Sequence, residues 1–223
     1  PKWMIDLPRF GNINLHASLL PKYRGAAPIQ WAIANGETVT GATTMRIDEG
    51  LDTGDMLLQR EMAIGPDQTS EEIFPLLAAS GAALMVETLE GLAAGTIEAR
   101  KQDESRSSLA PILKREDGLV DFSRTAREIY NRWRGFQPWP EAYTLLGGKK
   151  LTLHMLRPAQ EEAGTAADRA MGELRTQGDA VFVACAGGTS LQILELQLEG
   201  KKRLPVAEFL RGYPGLTHVR LGQ

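Results

Sequence analysis

Cysteine is nearly absent from this chain: Cys185 is alone in 223 residues. A single thiol excludes an internal disulfide framework and a cysteine-rich zinc site. Cys185 closes the apolar run Val181-Phe182-Val183-Ala184, so it reads as a buried structural thiol rather than a nucleophile, and a reducing cytoplasm fits. An uninterrupted run of eighteen or more apolar residues is also missing, and no signal-peptide pattern opens the chain, so neither a membrane role nor export is expected. Internal repeats and low-complexity tracts are absent. Charge of one sign is scarce too. Residues 1–107 carry 9 Lys and Arg against 15 Asp and Glu, and residues 108–223 carry 16 against 13. The mildly basic second part is compatible with contact to a polyanion but falls far short of a basic DNA-binding domain.

What is present belongs to an ordinary globular protein, with 43% apolar and 24% charged residues and a length suited to one large domain or two ordinary ones. Gly11 to His16 alternates polar and apolar residues, the period of a strand with one face on a core. Residues 25–35 read as a helix closed by Gly36, and 40–48 and 55–64 as strands. Thr69 and Glu72 have capping-box spacing ahead of a helical periodicity through Ile73, Leu76, Leu77, Leu84, Met85 and Leu89 that should end near Gly91 or Gly95, although Pro75 sits awkwardly in its second turn. The polar stretch 100–108 reads as a linker. Beyond it, 123–134 reads as a helix, followed by Phe136-Gln137-Pro138-Trp139-Pro140, which suits domain packing. Short strands at 143–146, 150–156, 172–176, 181–184 and 191–198, split by glycine turns, suggest a small closed barrel, with a last helix at 205–212.

The chemistry concentrates at Asn14-Leu15-His16 and at Asp52 in Gly50-Leu51-Asp52-Thr53-Gly54. With period two, Ile13 and Leu15 point one way and Asn14 and His16 the other. A carboxamide and an imidazole side by side at a strand end suit an anionic oxygen forming on a carbonyl carbon, because both can donate to it. Asp52 is the candidate carboxylate to orient the imidazole and favour its charged form. Ser18 with His16 and Asp52 invites a hydrolytic triad, but the Gly-x-Ser-x-Gly elbow is missing. Gly50 and Gly54 suit a tight loop that brings Asp52 inward. His154 and His218 have no partner legible in the sequence.

The Asn-x-His pair, the loop Ser18-Leu19-Leu20-Pro21, the stretch Tyr23-Arg24-Gly25-Ala26-Ala27-Pro28-Ile29-Gln30 and the segment Gly50-Leu51-Asp52-Thr53-Gly54-Asp55 resemble the folate-dependent formyltransferases in order along the chain. Arg24 to Gln30 is most similar to the branch acting on methionyl-tRNA. The resemblance implies an α/β fold: the C-terminal part of a Rossmann-like formyltransferase domain over 1–95, read as N-terminally incomplete, a linker over 96–107, and a small OB-like barrel domain over 108–223. It implies formyl transfer from 10-formyltetrahydrofolate to the amino group of methionyl initiator tRNA through a tetrahedral intermediate. Asn14, His16 and Asp52 would be catalytic, Ser18, Leu19, Leu20 and Pro21 would form the folate-binding loop, and Arg24, Lys201, Lys202 and Arg203 would contact RNA. No metal, DNA or membrane is implied, and a cytoplasmic monomer is expected. Two alternatives stay open: another folate-dependent formyltransferase or hydrolase, and an inactive RNA-binding fragment.

Overall fold

The computed structural model describes residues 2–5, 7–159 and 169–222. These form two compact units that divide between Leu113 and Lys114. The segment 96–113, read from sequence mostly as a linker, therefore belongs with the first unit. It is pinned there by paired backbone hydrogen bonds between Arg100 and Met56, both 2.8 Å, and by an Ala110 N–H to the Arg24 carbonyl at 2.7 Å.

The first unit opens on a short helix α1 (Lys2–Ile5), followed by β1 (Ile13–His16), α2 (Pro28–Ala34), β2 (Val39–Arg46), β3 (Met56–Ala63) and α3 (Ser70–Ala94). The strands make an antiparallel sheet in the order β1-β2-β3, with β1 at an edge. Proline at the first helical position suits the start of α2. The Thr69/Glu72 capping box starts α3, and Gly95, at φ 69°, ends it. Pro75 does not break α3. It lies on an exposed face, as does Glu71, so water can satisfy the carbonyl that loses its partner.

By length and composition α3 could cross a bilayer, yet Ile73, Leu77, Gly81, Leu84, Thr88 and Leu92 form one buried stripe along it. Gly81 lets β1 come close: a Cβ there would lie 2.8 Å from Leu15 Cδ2. Thr88 Oγ1 meets Thr44 Oγ1 of β2 at 2.8 Å. Ile29 and Ile33 of α2 complete a small core with Ile64, Ile73 and Leu77, each buried side chain contributing about 1.5–3 kcal/mol.

The second unit holds α4 (Ala126–Gly135), β4 (Ala142–Leu146), β5 (Lys149–Pro158), β6 (Leu174–Gln177), β7 (Ala180–Cys185), β8 (Thr189–Leu198), β9 (Leu204–Pro205) and α5 (Val206–Gly212). Thr125 and Glu128 form the capping box of α4. The sheet runs β4-β5-β8-β7-β6, with β9 on β8. This corrects the expectation of a closed barrel, because β4 and β6 do not pair among the described residues. The C-terminal tail bridges the gap instead. Leu174 N–H donates to Val219 O at 2.8 Å, Leu221 N–H to Gly172 O at 2.8 Å, and Gly222 N–H to Leu145 O on β4 at 2.9 Å. Backbone polar groups at both sheet ends thus find partners in the tail. Cys185 is buried as expected, and burial pushes its thiol up to about 12.

Candidate active site

Asn14 and His16 share one face of β1, and Leu15 on the other face lies against Gly81. His16 is buried. Its Nε2 lies 2.9 Å from the carbonyl of Tyr23, and a carbonyl only accepts, so this nitrogen carries the proton. That leaves Nδ1 facing Asp52 Oδ2 at 3.6 Å, an ion-pair distance rather than a hydrogen bond. Asn14 is half-buried, and its carboxamide has no hydrogen-bond partner among the described residues.

Asp52 is held by a tight turn. The Asp48 carboxylate accepts the Gly50 N–H at 3.0 Å and the Thr53 hydroxyl at 2.7 Å. Gly54 passes so near β2 that a Cβ would sit 1.8 Å from the Arg46 carbonyl oxygen, which no side chain tolerates. Asp52 itself is left-handed, at φ 53°. Its Oδ2 accepts the Gly25 N–H at 2.8 Å, and Gly25, at φ 121°, is crowded by the Ala110 carbonyl. Tyr23, whose carbonyl holds His16, is left-handed as well, at φ 63°. Left-handed backbone at two non-glycine residues is costly and concentrates at functional sites. The Tyr23 hydroxyl donates to Glu37 at 2.9 Å, and burial pushes the phenol up to about 12, so it stays neutral.

The loop after β1, expected to bind folate, buries Ser18 and sets Leu19, Leu20 and Pro21 along a cleft. Ser18 is fully buried and donates to the Lys22 carbonyl at 2.6 Å. Its hydroxyl is thereby engaged within the loop itself. Thr43 of β2 fixes this loop, donating to the Ser18 carbonyl at 2.6 Å and accepting the Leu20 N–H at 3.1 Å. Leu19, Leu20 and Pro21 line a cleft of about 900 Å³ together with Tyr23, Thr40 and Gln59. Asn14, His16 and Asp52 are not part of its wall.

Arg24 departs from the expectation of RNA contact. It is buried, with Nε and Nη2 donating to Gln102 Oε1 at 3.0 and 2.7 Å and both terminal nitrogens gripping Glu104 at 2.9 and 2.8 Å. A guanidinium with both edges occupied has none left for a phosphate. Glu104 holds the guanidinium pKa up, and Arg24 holds the Glu104 carboxyl below the usual range. In the second unit Arg203 pairs with Glu195, its Nε at 2.7 Å, while the ammonium groups of Lys201 and Lys202 are exposed and unpaired among the described residues. Sequence reasoning missed Tyr23, Gly25, Gln102 and Glu104 as site-shaping residues. Only Tyr23 and Gly25, on either side of Arg24 in the motif, carried a signal there.

The formyl transferase family model matches residues 1–89, and that of the formyl transferase C-terminal domain matches 112–214. Methionyl-tRNA formyltransferase of Acidobacterium capsulatum is 68% identical over all of this chain and 70% of its own length, and that of Koribacter versatilis 56% over the same shares. Two solved structures share the fold. One is an N-formyltransferase from Helicobacter canadensis with folinic acid and dTDP-3-aminofucose, at TM-score 0.65 and 22% identity over 81% of this chain and 65% of that one. The other is HypX from Aquifex aeolicus with tetrahydrofolic acid, at 0.62 and 20% over 92% and 36%. With both domain models matched in order and identity this high across its whole length, the chain belongs to the methionyl-tRNA formyltransferase family.

Proposed function

We propose that this chain carries the machinery to move the formyl group of 10-formyltetrahydrofolate onto the amino group of methionine on initiator tRNA, with Asn14, His16 and Asp52 as the reacting-site residues. The observation that carries the reading is the pairing of His16 Nδ1 with Asp52 beside a half-buried, unpartnered Asn14 carboxamide on the same strand face. When an amine attacks a formyl carbon, negative charge develops on the carbonyl oxygen and the nitrogen must lose a proton. Asn14 is the standing donor to that oxygen, since its NH₂ group has no other partner to give up. His16 has its Nε2 proton on the Tyr23 carbonyl, so its Nδ1, which faces Asp52, is the nitrogen open to proton traffic. No covalent enzyme intermediate is needed.

The loop from Leu19 to Pro21 offers apolar surface to a ring system such as a pterin, in the cleft it lines. The role of Ser18 in this reading is to shape the loop through Lys22, not to touch the donor. Arg24 drops out of the RNA-facing set, and Lys201 and Lys202 remain in it as point charges suited to phosphate. Replacing His16, the proton-handling group, or Asn14, the donor to the developing oxyanion, by Ala should each lower single-turnover formylation by roughly 100- to 1,000-fold. Affinity for methionyl-tRNA should be left nearly as it was. A turnover within about threefold of the parent, on the scale where one such donor matters, would take that residue out of the mechanism.

A further inference from the structure

Gln102 lies in a polar stretch that nothing in the sequence marks, yet all of its hydrogen-bonding capacity is spent at the site. Its Nε2 donates to the Asp52 carbonyl at 2.7 Å and to the Gly54 carbonyl at 2.8 Å. Its Oε1 accepts from Arg24 Nε at 3.0 Å and Nη2 at 2.7 Å. The orientation of the amide is forced. Carbonyls cannot donate, so they must face the NH₂ group, and a guanidinium cannot accept, so it must face the oxygen. Arg24 is in turn immobilised by its fork on Glu104, and its backbone is paired with Ser108 and Ala110.

We propose that Gln102 is the positioning residue for Asp52, clamping its left-handed loop onto the buried Arg24 so that the carboxylate stays aimed at His16. A turn whose central residue sits at φ 53° needs such support, because the conformation is disfavoured for a residue with a side chain. The two carbonyls that Gln102 holds flank Thr53, on either side of the turn that sets the Asp52 side chain. The same clamp explains why Arg24 is buried so close to the reaction site without facing it. The proposal rests on the reading of Asp52 as the partner of His16 in the reaction.

Gln102→Glu is the sharp test. It keeps the shape and the link to Arg24 but sets a carboxylate oxygen against two carbonyls, so the clamp is lost without a cavity. Gln102→Met, of similar length and without donors, is the second variant in case the first does not fold. In the folded protein, nuclear magnetic resonance of the Gly25 amide, which donates to Asp52, and of the His16 ring should report the change. Both signals should move in the direction set by Asp52→Asn, while amides of β2 and β3 keep their positions. Single-turnover formylation should fall by about 10- to 100-fold, the order that a small misplacement of a reacting group costs. The KM for tRNA should hold, and combination with Asp52→Asn should add little further loss. Unmoved Gly25 and His16 signals, or losses that simply multiply with those of Asp52→Asn, would overturn the clamp while leaving the role of Asp52 intact. If Asp52→Asn itself changes neither the His16 ring nor turnover, the reading of Asp52 fails and takes this proposal with it.

Discussion

Among the described residues, the first unit buries eight polar or charged side chains, including His16, Ser18, Arg24, Thr43, Thr44 and Thr88, and divides its apolar core into small clusters. The second buries four and gathers twenty apolar side chains into one cluster around β5, β7 and β8. The two sets of buried groups do different work. In the second unit, area removed from water supplies stability without demanding one exact geometry. In the first, His16, Ser18, Arg24, Thr43, Thr44 and Thr88 are each met by named partners that fix their positions, while Thr40 Oγ1 has no partner among the described residues. His16, Asp52, Arg24 and Gln102 sit where polar satisfaction, not apolar packing, sets the coordinates. Left-handed Tyr23 and Asp52 lie at the same place, while the second unit's left-handed non-glycine residues, Glu141 and His218, are scattered along its chain.

The comparison is most easily broken by cutting into the second unit's core. Leu153 on β5 is fully buried in the large cluster. Leu153→Ala should cost about 2–5 kcal/mol. Denaturant unfolding followed separately by amides of β5 to β8 and of β2 to β3 should show the loss in the former set alone. Equal losses in both would mean that the two units unfold as one cooperative body, and the contrast between them would be one of composition only.

A smaller effect is expected from charge reversal at Lys201 and Lys202, leaving out Arg203 because Glu195 already engages it. The logarithmic salt dependence of methionyl-tRNA binding should flatten by roughly 0.7 to 0.9 for each phosphate that is no longer neutralised. Binding of a folate analogue should not change. Identical salt slopes for parent and variant would make the pair a solvated surface and move the search for the RNA-facing residues elsewhere.

Much of the architecture was legible in the sequence because its signals are local. The Thr69/Glu72 box and Gly95 bracket α3, and Gly147-Gly148, Gly178-Asp179 and Gly187-Gly188 separate strands that the structure confirms as β4 to β8. That Asn14 and His16 share a strand face was legible from spacing within one strand, whereas the approach of Asp52 to His16 was expected only from the family resemblance. What stayed hidden is contact between distant segments. Gln102 meets Asp52 from fifty positions away, and Arg24 meets Glu104 across eighty, with no periodicity or composition to announce either. The unclosed barrel was hidden for a related reason. Its gap is bridged by single hydrogen bonds from residues 218–222, which have no strand pattern of their own. Arg24 looks exposed in the sequence because it precedes a helix start rich in small residues, and only the fold shows Gln102 and Glu104 arriving to cover it.

The smallest effect concerns pH, and it separates carboxylates held down by local or peripheral contacts from the one held down by the site. Asp121 and Glu128 in the second unit and Asp103 in the first are held below the usual range chiefly by Ser123, Thr125 and Ser105, turn and cap contacts within a few residues, and Glu173 chiefly by His218. Glu104 in the first unit is held down chiefly by Arg24, a partner from the site. A carboxyl whose folded value lies below its unfolded one stabilises the fold above the unfolded value, about 4.3 for Glu, and loses that contribution as pH falls through the folded value. Glu104→Gln should therefore lower the melting temperature slightly and by a constant amount from pH 7 down to about 5, with the gap from the parent closing in more acid solution. Glu104 is an exposed partner, so the gap should be small throughout. The Gly25 amide should begin to shift over the same acid range in the parent and not in Glu104→Gln, since loosening Arg24 loosens Gln102 and, through it, Asp52. A Gly25 signal that moves identically in both proteins would show that the Asp52 turn stands without the Arg24–Glu104 pair. The polar network of the first unit would then be two independent pieces rather than one.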